Sequence, residues 1–288
     1  MIKQGLIDSK GNILRRGILP TEPHIGLDPF LRKIAEIIDG YNAFSPQGIA
    51  VSVPGVVNPY TGDILGGIPN IPFLHGENLK EHLEGTHSLP VTVINDVKAA
   101  ALGEYWVGVA RGCKSLLCVT VGTGIGGCLM LDGNVYEGAH FRAGELGFMR
   151  YKSNTDFMEI DCSAKGLILA AQRELNDDKL TAEMFFTAVQ QGHVRSSEIF
   201  HAWLDKLGSA LADALILTDP EMLVIGGGVT ENGDLLLLPL QDTIRRHLPA
   251  EFAFQCKIKL ASCGNDSGML GAVCHLRTRA NVQRLCSN

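Results

Sequence analysis

The chain has 288 residues, which is enough to bury a large core in one domain or two. Its hydrophobic fraction of 45% and charged fraction of 19% are those of an ordinary globular protein, which excludes a disordered or fibrous one. The net charge is −6 and no long basic run is present, so nucleic acid is not an expected partner.

The cysteines and the amino-terminal residues indicate in which cellular compartment the protein is expected. No two of the eight cysteines have the C-x-x-C spacing of a zinc or redox pair. The first residues, Met-Ile-Lys-Gln, contain no apolar signal region, and no apolar run is long enough to span a membrane. We therefore expect a cytoplasmic protein with reduced thiols that does not contact membranes.

Strands and helices are predicted to alternate along the chain. Turn residues 9–12 predict a hairpin near the start, and Asp28-Pro29 predicts the cap of a helix that stops at Gly40. Apolar runs predict strands over 49–53, 91–94, 116–119, 128–131, 221–225 and 258–261. Helical spacing predicts helices over 98–105, 164–175, 182–190, 197–217 and 269–279. This alternation indicates the α/β class.

A glycine-rich loop lies between two apolar runs near the middle of the chain. Gly122, Thr123 and Gly124 belong to it, and Thr120 adds a second hydroxyl. Glycines let a ligand approach the backbone closely, and successive N–H groups in such a loop can form an anion cradle. The pattern favours phosphate binding, and the alternative is a glycine-rich hairpin that merely turns the chain.

Asp96 is the first candidate for catalysis. It lies where a predicted strand stops and a helix starts, which is where α/β sheets present ligand contacts. The alternative is that Asp96 only caps the helix. Because polar Asn95 precedes it and the glycine loop follows on the next strand, a base that takes a proton from an attacking hydroxyl is the functional interpretation.

A second glycine run, Gly226-Gly227-Gly228, follows another apolar strand. It is interpreted as a contact to adenosine, with a simple turn as the alternative. Glu145 stands between glycines that would let its carboxylate point into a cleft, and Glu159 stands near a helix start. By themselves, both acids could equally be solvated surface residues.

Taken together, these segments resemble the ROK family of sugar kinases and sugar-responsive repressors, within the actin–hexokinase superfamily. The resemblance covers nearly the whole chain, and the matching blocks are 49–62, 70–79, 94–104, 121–127, 219–228 and 264–268. It implies a two-lobed α/β fold of the ribonuclease H-like type with a cleft between the lobes. The small lobe would comprise 1–112 with the terminal helix 266–288, and the large lobe 113–265.

The resemblance also implies ATP-dependent phosphorylation of a sugar hydroxyl, with Asp96 as general base and ATP and Mg²⁺ as cofactors. The substrate would be a hexose, an N-acylhexosamine or a β-glucoside, and the protein would be a homodimer. By the same resemblance, Asn70, Asn95, Glu145 and Glu159 would bind sugar hydroxyls, Gly122, Thr123 and Gly124 would hold phosphates, and Gly227 and Gly228 would face adenosine.

The family's zinc site is not matched by this sequence. Phe148 stands where the family has a histidine ligand, and of the three closely spaced cysteines only Cys162 has a counterpart nearby. Zinc needs about four ligands of this kind, so no zinc is predicted. In this respect the chain resembles the zinc-free branch that includes β-glucoside kinases, and an apolar ring at Phe148 would suit a glycosidic substrate.

The family also opens with a strand and an Asp-x-Gly-Gly-Thr loop before the segment that resembles residues 2–8, and this sequence lacks both. That loop faces the transferred phosphate and helps to place Mg²⁺. The preferred expectation is an intact kinase whose sequence begins upstream. The alternative is a catalytically impaired protein that binds sugar and regulates. No helix-turn-helix segment precedes the family core, so DNA binding is not expected.

Overall fold

The computed structural model describes residues 1–150, 157–251 and 255–286, with side chains described as far as Arg279. The chain divides into two compact units. The first comprises Met1–Arg111, Glu137–Arg142 and Asn265–Asn288, and the second comprises Gly112–Tyr136 and Ala143–Gly264. The predicted lobe boundaries did not anticipate that residues 137–142 belong with the first unit.

The elements alternate as the sequence predicts. The strands are β1 (Ile2–Ile7), β2 (Ile13–Leu19), β3 (Ile49–Val53), β4 (Val56–Val57), β5 (Ile64–Gly66), β6 (Val91–Asn95), β7 (Ser115–Val121), β8 (Ile125–Leu131), β9 (Asn134–Val135), β10 (Met222–Gly226) and β11 (Lys257–Leu260). The helices are α1 (Leu27–Asp39), α2 (Leu79–His87), α3 (Asp96–Trp106), α4 (Met158–Cys162), α5 (Ala164–Leu175), α6 (Ala182–Gln190), α7 (Val194–Thr218), α8 (Asp234–His247) and α9 (Ser267–Cys286).

Two-stranded sheets form the β-structure described in the first unit. Strands β1 and β2 are an antiparallel hairpin, β3 and β6 pair in parallel, and β4 and β5 pair antiparallel. The Asp8 carboxylate closes the hairpin turn by accepting the N–H groups of Lys10 at 2.8 Å and Asn12 at 2.9 Å. Helix α9 packs on β1, β3 and β6, so one helix supports both the hairpin and the parallel pair.

The core of the first unit is apolar and lies around α1, α2 and the short strands. Ile64 and Leu74 are fully buried, and Phe30 of α1 places its ring 5.3 Å from that of Phe73. Strand β6 is buried along its whole length, Thr92 included, as expected of a parallel strand that is covered on both faces.

The second unit is built on a five-stranded sheet with the order β11-β10-β7-β8-β9. Strand β10 runs parallel to β7 and β11, whereas β8 is antiparallel to β7. Helix α7 packs against α4, α5, α6 and α8 and shares one apolar core with the sheet. Within that core the Trp203 indole donates a hydrogen bond to the Cys162 carbonyl at 3.1 Å.

Some predicted helix boundaries are wrong. Gly26, with a φ of 81°, is the N-cap of α1, and Asp28 lies inside the first turn instead of capping it. Helix α3 begins at Asp96, two residues before the predicted start, and α9 begins at Ser267 and extends beyond the predicted end at Arg279. The start of α3 was missed because its first residues do not show the helical spacing of apolar residues on which the prediction relied.

No helix in the described part of the chain has both the length and the apolar character that crossing a membrane would require.

The contact between α3 and α9 depends on glycines. A Cβ atom on Gly271 would overlap the carbonyl oxygen of Ala99, and one on Gly103 would overlap the backbone of Ser267. We expect Gly271→Ala to lower the free energy of unfolding by about 2–3 kcal/mol, because the two backbones would have to move apart. Thermal or urea unfolding measures this loss.

Gly85→Ala is the matched control, because Gly85 is an exposed residue of α2 and a Cβ there would have nothing within 4 Å. This change should stabilise the protein by about 0.5–1 kcal/mol, since alanine forms helix better than glycine. Equal effects of the two substitutions would show that the α3–α9 contact is not close-packed.

Candidate active site

The junction between β6 and α3 is held by the side chain of Asn95, which is 8% exposed. Its Oδ1 accepts the N–H groups of Val97 at 2.9 Å and Lys98 at 3.0 Å. Its Nδ2 donates to the carbonyl of Gly55 at 2.9 Å and to Asp96 Oδ1 at 3.1 Å. Asn95 is therefore the helix cap, and Asp96 is the first helical residue.

Asp96 is consequently oriented by its neighbours. Its Oδ1 accepts the N–H of Val97 at 2.9 Å as well as the amide of Asn95. Loss of hydration is the largest influence and raises the pKa of Asp96, although the side chain still reaches solvent. The hydrogen bonds from Val97, from the N–H of Asp96 itself and from Asn95 partly offset this rise in pKa. A raised pKa is the direction that suits a general base working near neutral pH.

Asn70 lies in the same unit, exposed on the turn that follows β5 and precedes α2. The structure thus assigns Asn70, Asn95 and Asp96 to the first unit and the remaining predicted site residues to the second.

A buried ion pair near Asp96 was not anticipated from the sequence. The Lys98 ammonium, 3% exposed, contacts Glu137 Oε2 and donates to the carbonyl of Phe141 at 2.9 Å. This pair ties the segment Glu137–Arg142 to α3 within one turn of Asp96. In the sequence, a lysine among the alanines of an apolar helix could have indicated a buried charge. Its partner could not be identified, because it lies 39 residues away in the chain.

The glycine-rich loop of the second unit is the turn between β7 and β8. Gly122 donates its N–H to the carbonyl of Gly124 at 3.0 Å, and Thr123 is exposed at the tip. A Cβ on Gly122 would meet nothing within 4 Å, so open space adjoins the backbone there. The loop is a tight antiparallel hairpin with room for a ligand, and phosphate binding stays a prediction.

The two glycine loops lie side by side at one edge of the sheet. Strands β7 and β10 are parallel, with Thr120 opposite Gly226, so their carboxyl ends coincide. Gly227 has a φ of 88°, and a Cβ on it would overlap the backbone of Val121. A Cβ on Gly228 would meet nothing within 4 Å. This edge is where open α/β sheets bind ligands.

The structure brings Glu159 to the first glycine loop. Its Oε2 lies 3.4 Å from the N–H nitrogen of Ile125 and 2.6 Å from the position that a Cβ on Gly124 would take. The same oxygen is 3.3 Å from the corresponding position on Gly147. Glu145 stands directly before the 3-10 turn Leu146–Phe148, and Gly144 packs against the backbone of β8 at Gly127.

An aromatic surface follows this segment. Phe148 is 63% exposed, and its ring meets that of Phe157 edge to face with the ring centres 5.6 Å apart. The Arg150 guanidinium lies 5.4 Å from the centre of the Phe157 ring. Phe148 therefore presents an accessible apolar ring directly after the glycine that contacts Glu159.

The family model for ROK matches residues 1–279 of this chain. The chain belongs to the ROK family. Among similar proteins are a glucokinase of Halalkalibacterium halodurans, 31% identical over 94% of this chain and 90% of the relative, and a β-glucoside kinase of Listeria innocua, 32% identical over 97% and 99%. The predicted class, a carbohydrate kinase, is confirmed by these relatives.

Solved structures of ROK proteins share the fold. A ROK glucokinase from Streptomyces griseus, in complex with glucose and AMPPNP, has a TM-score of 0.81 and 27% identity and covers 93% of each chain. A ROK hexokinase from Thermus thermophilus has a TM-score of 0.83 and 26% identity over 96% of this chain and 94% of its own. The predicted α/β fold of the actin–hexokinase type is confirmed.

The described side chains bear on metal binding by this ROK protein. Among its described residues, no group of three or more His, Cys, Asp or Glu side chains is arranged to hold a metal ion. Burial, with the Asp161 charge as a smaller cause, raises the pKa of the Cys162 thiol to about 12, which disfavours the thiolate that binds zinc. That zinc is absent stays a prediction. Mg²⁺ commonly binds through substrate phosphates and water, which fits the open space beside Gly122.

The contact between Asn95 and Asp96 yields a prediction that is independent of activity. Serine at position 95 keeps a cap acceptor for α3 but cannot donate to Asp96 Oδ1. Because that donated hydrogen bond favours the charged carboxylate, Asn95→Ser should raise the pKa of Asp96 further. Carboxyl-carbon NMR titration, with the Asp96 signal assigned by Asp96→Asn, measures the change.

Asn78→Ser is the control, because Asn78 caps α2 and its Nδ2 donates to a carboxylate oxygen of Asp63 in the same way. The Asp96 titration should be unaltered in that variant. An unaltered Asp96 titration in Asn95→Ser as well would show that Asn95 does not control the carboxylate.

Proposed function

We propose that this ROK protein transfers the γ-phosphoryl group of ATP to a sugar hydroxyl, with Asp96 as the general base. The observation that carries the proposal is Asp96 itself, a helix-start carboxylate with a raised pKa that Asn95 holds in place. The carboxylate takes the hydroxyl proton as the sugar oxygen bonds to the γ-phosphorus. The bond from that phosphorus to the bridging oxygen breaks, and ADP leaves.

The nucleotide would be held by the second unit. Gly122, Thr123 and Gly124 would hold phosphates, with open space at Gly122, whose own N–H donates to the carbonyl of Gly124. Gly227 and Gly228 would face adenosine. The adjacency of the two glycine loops at one sheet edge supports this assignment. Mg²⁺, when bound, would offset the negative charge of the phosphates.

The sugar hydroxyls would be bound by Asn70, Glu145 and Glu159. Asn95 was predicted as a further sugar contact, but both of its amide hydrogens and both oxygen lone pairs have partners within the protein. Its geometry favours a role in orienting Asp96.

The substrate we propose is a glucoside with a group attached at the anomeric carbon. The exposed ring of Phe148 offers an apolar face to such a group. A β-glucoside kinase is among the relatives of this chain, as is a glucokinase that would accept the free sugar.

Asp96→Asn tests the base. The amide keeps the size of the side chain but cannot accept the proton, so kcat should fall by about 10²- to 10⁴-fold. Coupled measurement of ADP release gives kcat, and calorimetry with the sugar checks that binding persists. Asp28→Asn, which alters an exposed acid in the first turn of α1, should keep full activity.

Full activity in Asp96→Asn would overturn the assignment of the base. Sugar binding by the unaltered protein, without ADP formation from any sugar, would instead select the regulatory sugar-binding alternative.

Phe148→Ala tests the substrate class. With cellobiose, kcat/KM should fall about 10-fold relative to the value for glucose, because the variant loses apolar contact with the second sugar unit only. The same ADP assay, run with glucose, N-acetylmannosamine, fructose and cellobiose, provides the comparison. Phe44→Ala, which removes an exposed ring of the first unit, should leave the ratio unchanged. Exclusive use of free glucose by the unaltered protein would count against the glucoside assignment.

A further inference from the structure

The backbone of Phe141 adopts a strained conformation. Its φ of 61° lies in the left-handed region, which bulky residues rarely adopt, so the surrounding structure must hold it there. The buried ammonium of Lys98 contributes to this hold, because it donates to the carbonyl of Phe141 at 2.9 Å and also pairs with Glu137. One side chain of α3 thereby makes two contacts with the segment Glu137–Arg142.

The ring of Phe141 stands beside an exposed tyrosine. The centres of the Phe141 and Tyr60 rings are 6.1 Å apart, and their planes are tilted by 55°. Tyr60 is 58% exposed, and the Arg279 guanidinium lies 4.2 Å from the centre of its ring. Phe141 is half-buried, so a ligand in solution can reach this pair. We call Tyr60 and Phe141 the aromatic pair.

The turn that carries Tyr60 is held in place from two sides. Asn58 Oδ1 accepts the N–H of Tyr60 at 3.0 Å, and the next contact comes from α9. There the His275 imidazole hydrogen-bonds the carbonyl of Pro59, and its Nε2 accepts the Arg279 Nε–H at 3.3 Å. Burial, with the Arg279 charge as a smaller cause, lowers the pKa of His275 to about 4. The imidazole is therefore neutral near pH 7 and can accept this hydrogen bond.

The aromatic pair lies at the end of α3 that carries Asp96. Helices α3 and α9 run antiparallel, as shown by their close backbone approaches, Gly103 to Ser267 and Ala99 to Gly271. One further turn brings His275, which holds the turn of Tyr60, level with the start of α3. Lys98, which holds Phe141, lies two residues after Asp96. The pair is therefore on the side of the first unit where the sugar hydroxyl would meet the proposed base.

Folding stability gives little reason for a phenyl ring at position 141. Strain of this kind costs about as much free energy as an aromatic pair contributes, so the two effects roughly cancel. Glycine would adopt the same φ without strain, and it would keep the hydrogen bond from Lys98, which uses the backbone carbonyl. A ring with little net effect on folding points to a role in binding a ligand.

We propose that Tyr60 and Phe141 bind an aryl group attached at the anomeric carbon of the sugar. Aromatic side chains bury large apolar areas and pair with other aromatic rings offset or edge to face, which suits two rings presented at an angle. This inference rests on the proposed function, because it takes Asp96 as the base, and it names the substrate class more closely. It adds a contact from the first unit to the one assigned to Phe148.

Phe141→Gly tests the assignment in the full-length protein. Coupled ADP release gives kcat/KM for phenyl β-glucoside and for methyl β-glucoside, which lacks the ring. The unaltered protein should prefer the phenyl compound about 5- to 10-fold, and the variant should lose most of this preference through KM, with kcat little changed. Tyr60→Ala, which keeps the backbone bond to Asn58, should reduce the preference in the same way.

Thermal unfolding separates a binding role from a structural one. The unfolding temperature of Phe141→Gly should stay within about 2 °C of the unaltered protein or rise, because relief of strain offsets the lost ring contact. A ring that served the core would lower it by about 10 °C or more. That result would overturn the argument from strain, and with it the proposal.

Ser88→Gly is the matched control. Ser88 is exposed at the end of α2 with a φ of 51°, so glycine relieves the same kind of strain away from Asp96. The unfolding temperature should again hold or rise, and the preference for phenyl over methyl β-glucoside should be unaltered. A changed preference in Ser88→Gly would show that the kinetic effect does not come from the aromatic pair.

The possible failures are distinguishable. If the unaltered protein forms no ADP with glucose, cellobiose or either glucoside, the proposed function itself is wrong. If it uses the glucosides but Phe141→Gly and Tyr60→Ala both keep the preference for phenyl β-glucoside, the aromatic pair does not bind the aryl group. If these variants instead lose activity with cellobiose alone, the pair binds a second sugar unit and the aryl assignment is overturned.

Discussion

The hydrogen bonds of Asn95 are the interaction on which the first unit's part of the site depends. One side chain satisfies two backbone donors at the start of α3, holds the carbonyl of Gly55 and contacts Asp96 Oδ1. Because Asn95 is buried, removing its amide would leave the carbonyl of Gly55 and the N–H of Lys98 without this hydrogen-bond partner, which is costly for groups shielded from water. The Asn95 side chain thereby connects the end of β6, the start of α3 and the loop at Gly55. It also orients the carboxylate of Asp96.

In the second unit, close backbone contacts at glycines shape the candidate site. At Gly124, Gly147 and Gly227 the backbone lies so close to another group that a Cβ atom would overlap it. Strand pairing brings the two glycine loops to one edge, and the shortage of side chains there leaves room for a ligand. The first unit thus orients a carboxylate by hydrogen bonds. The second unit leaves room for a ligand because glycines there carry no side chains.

Much of this arrangement could be read from the sequence because it is local. Glycine runs directly after apolar strands marked both loops, and the alternation of apolar runs with helical spacing indicated the fold class. That Asn95 and not Asp96 caps α3 could not be read from the sequence, since both residue types cap well. It is decided by the backbone of Asn95, which is still extended at a φ of −61° and a ψ of 145°. The approach of Glu159 to Gly124 also depends on packing between distant segments, and no local pattern encodes it.

The pairing of Lys98 with Glu137 has a consequence for how the protein can be divided. The first unit is assembled from separate stretches of chain, and the carboxylate that balances Lys98 comes from a short stretch inserted between two parts of the second unit. A fragment ending at Arg111 would retain the ammonium of Lys98 but lose its counter-charge, and it would expose the faces of α3, β3 and β6 that α9 covers. An uncompensated charge in such surroundings destabilises a protein by several kcal/mol. A fragment that ends at Arg111 should therefore not fold by itself.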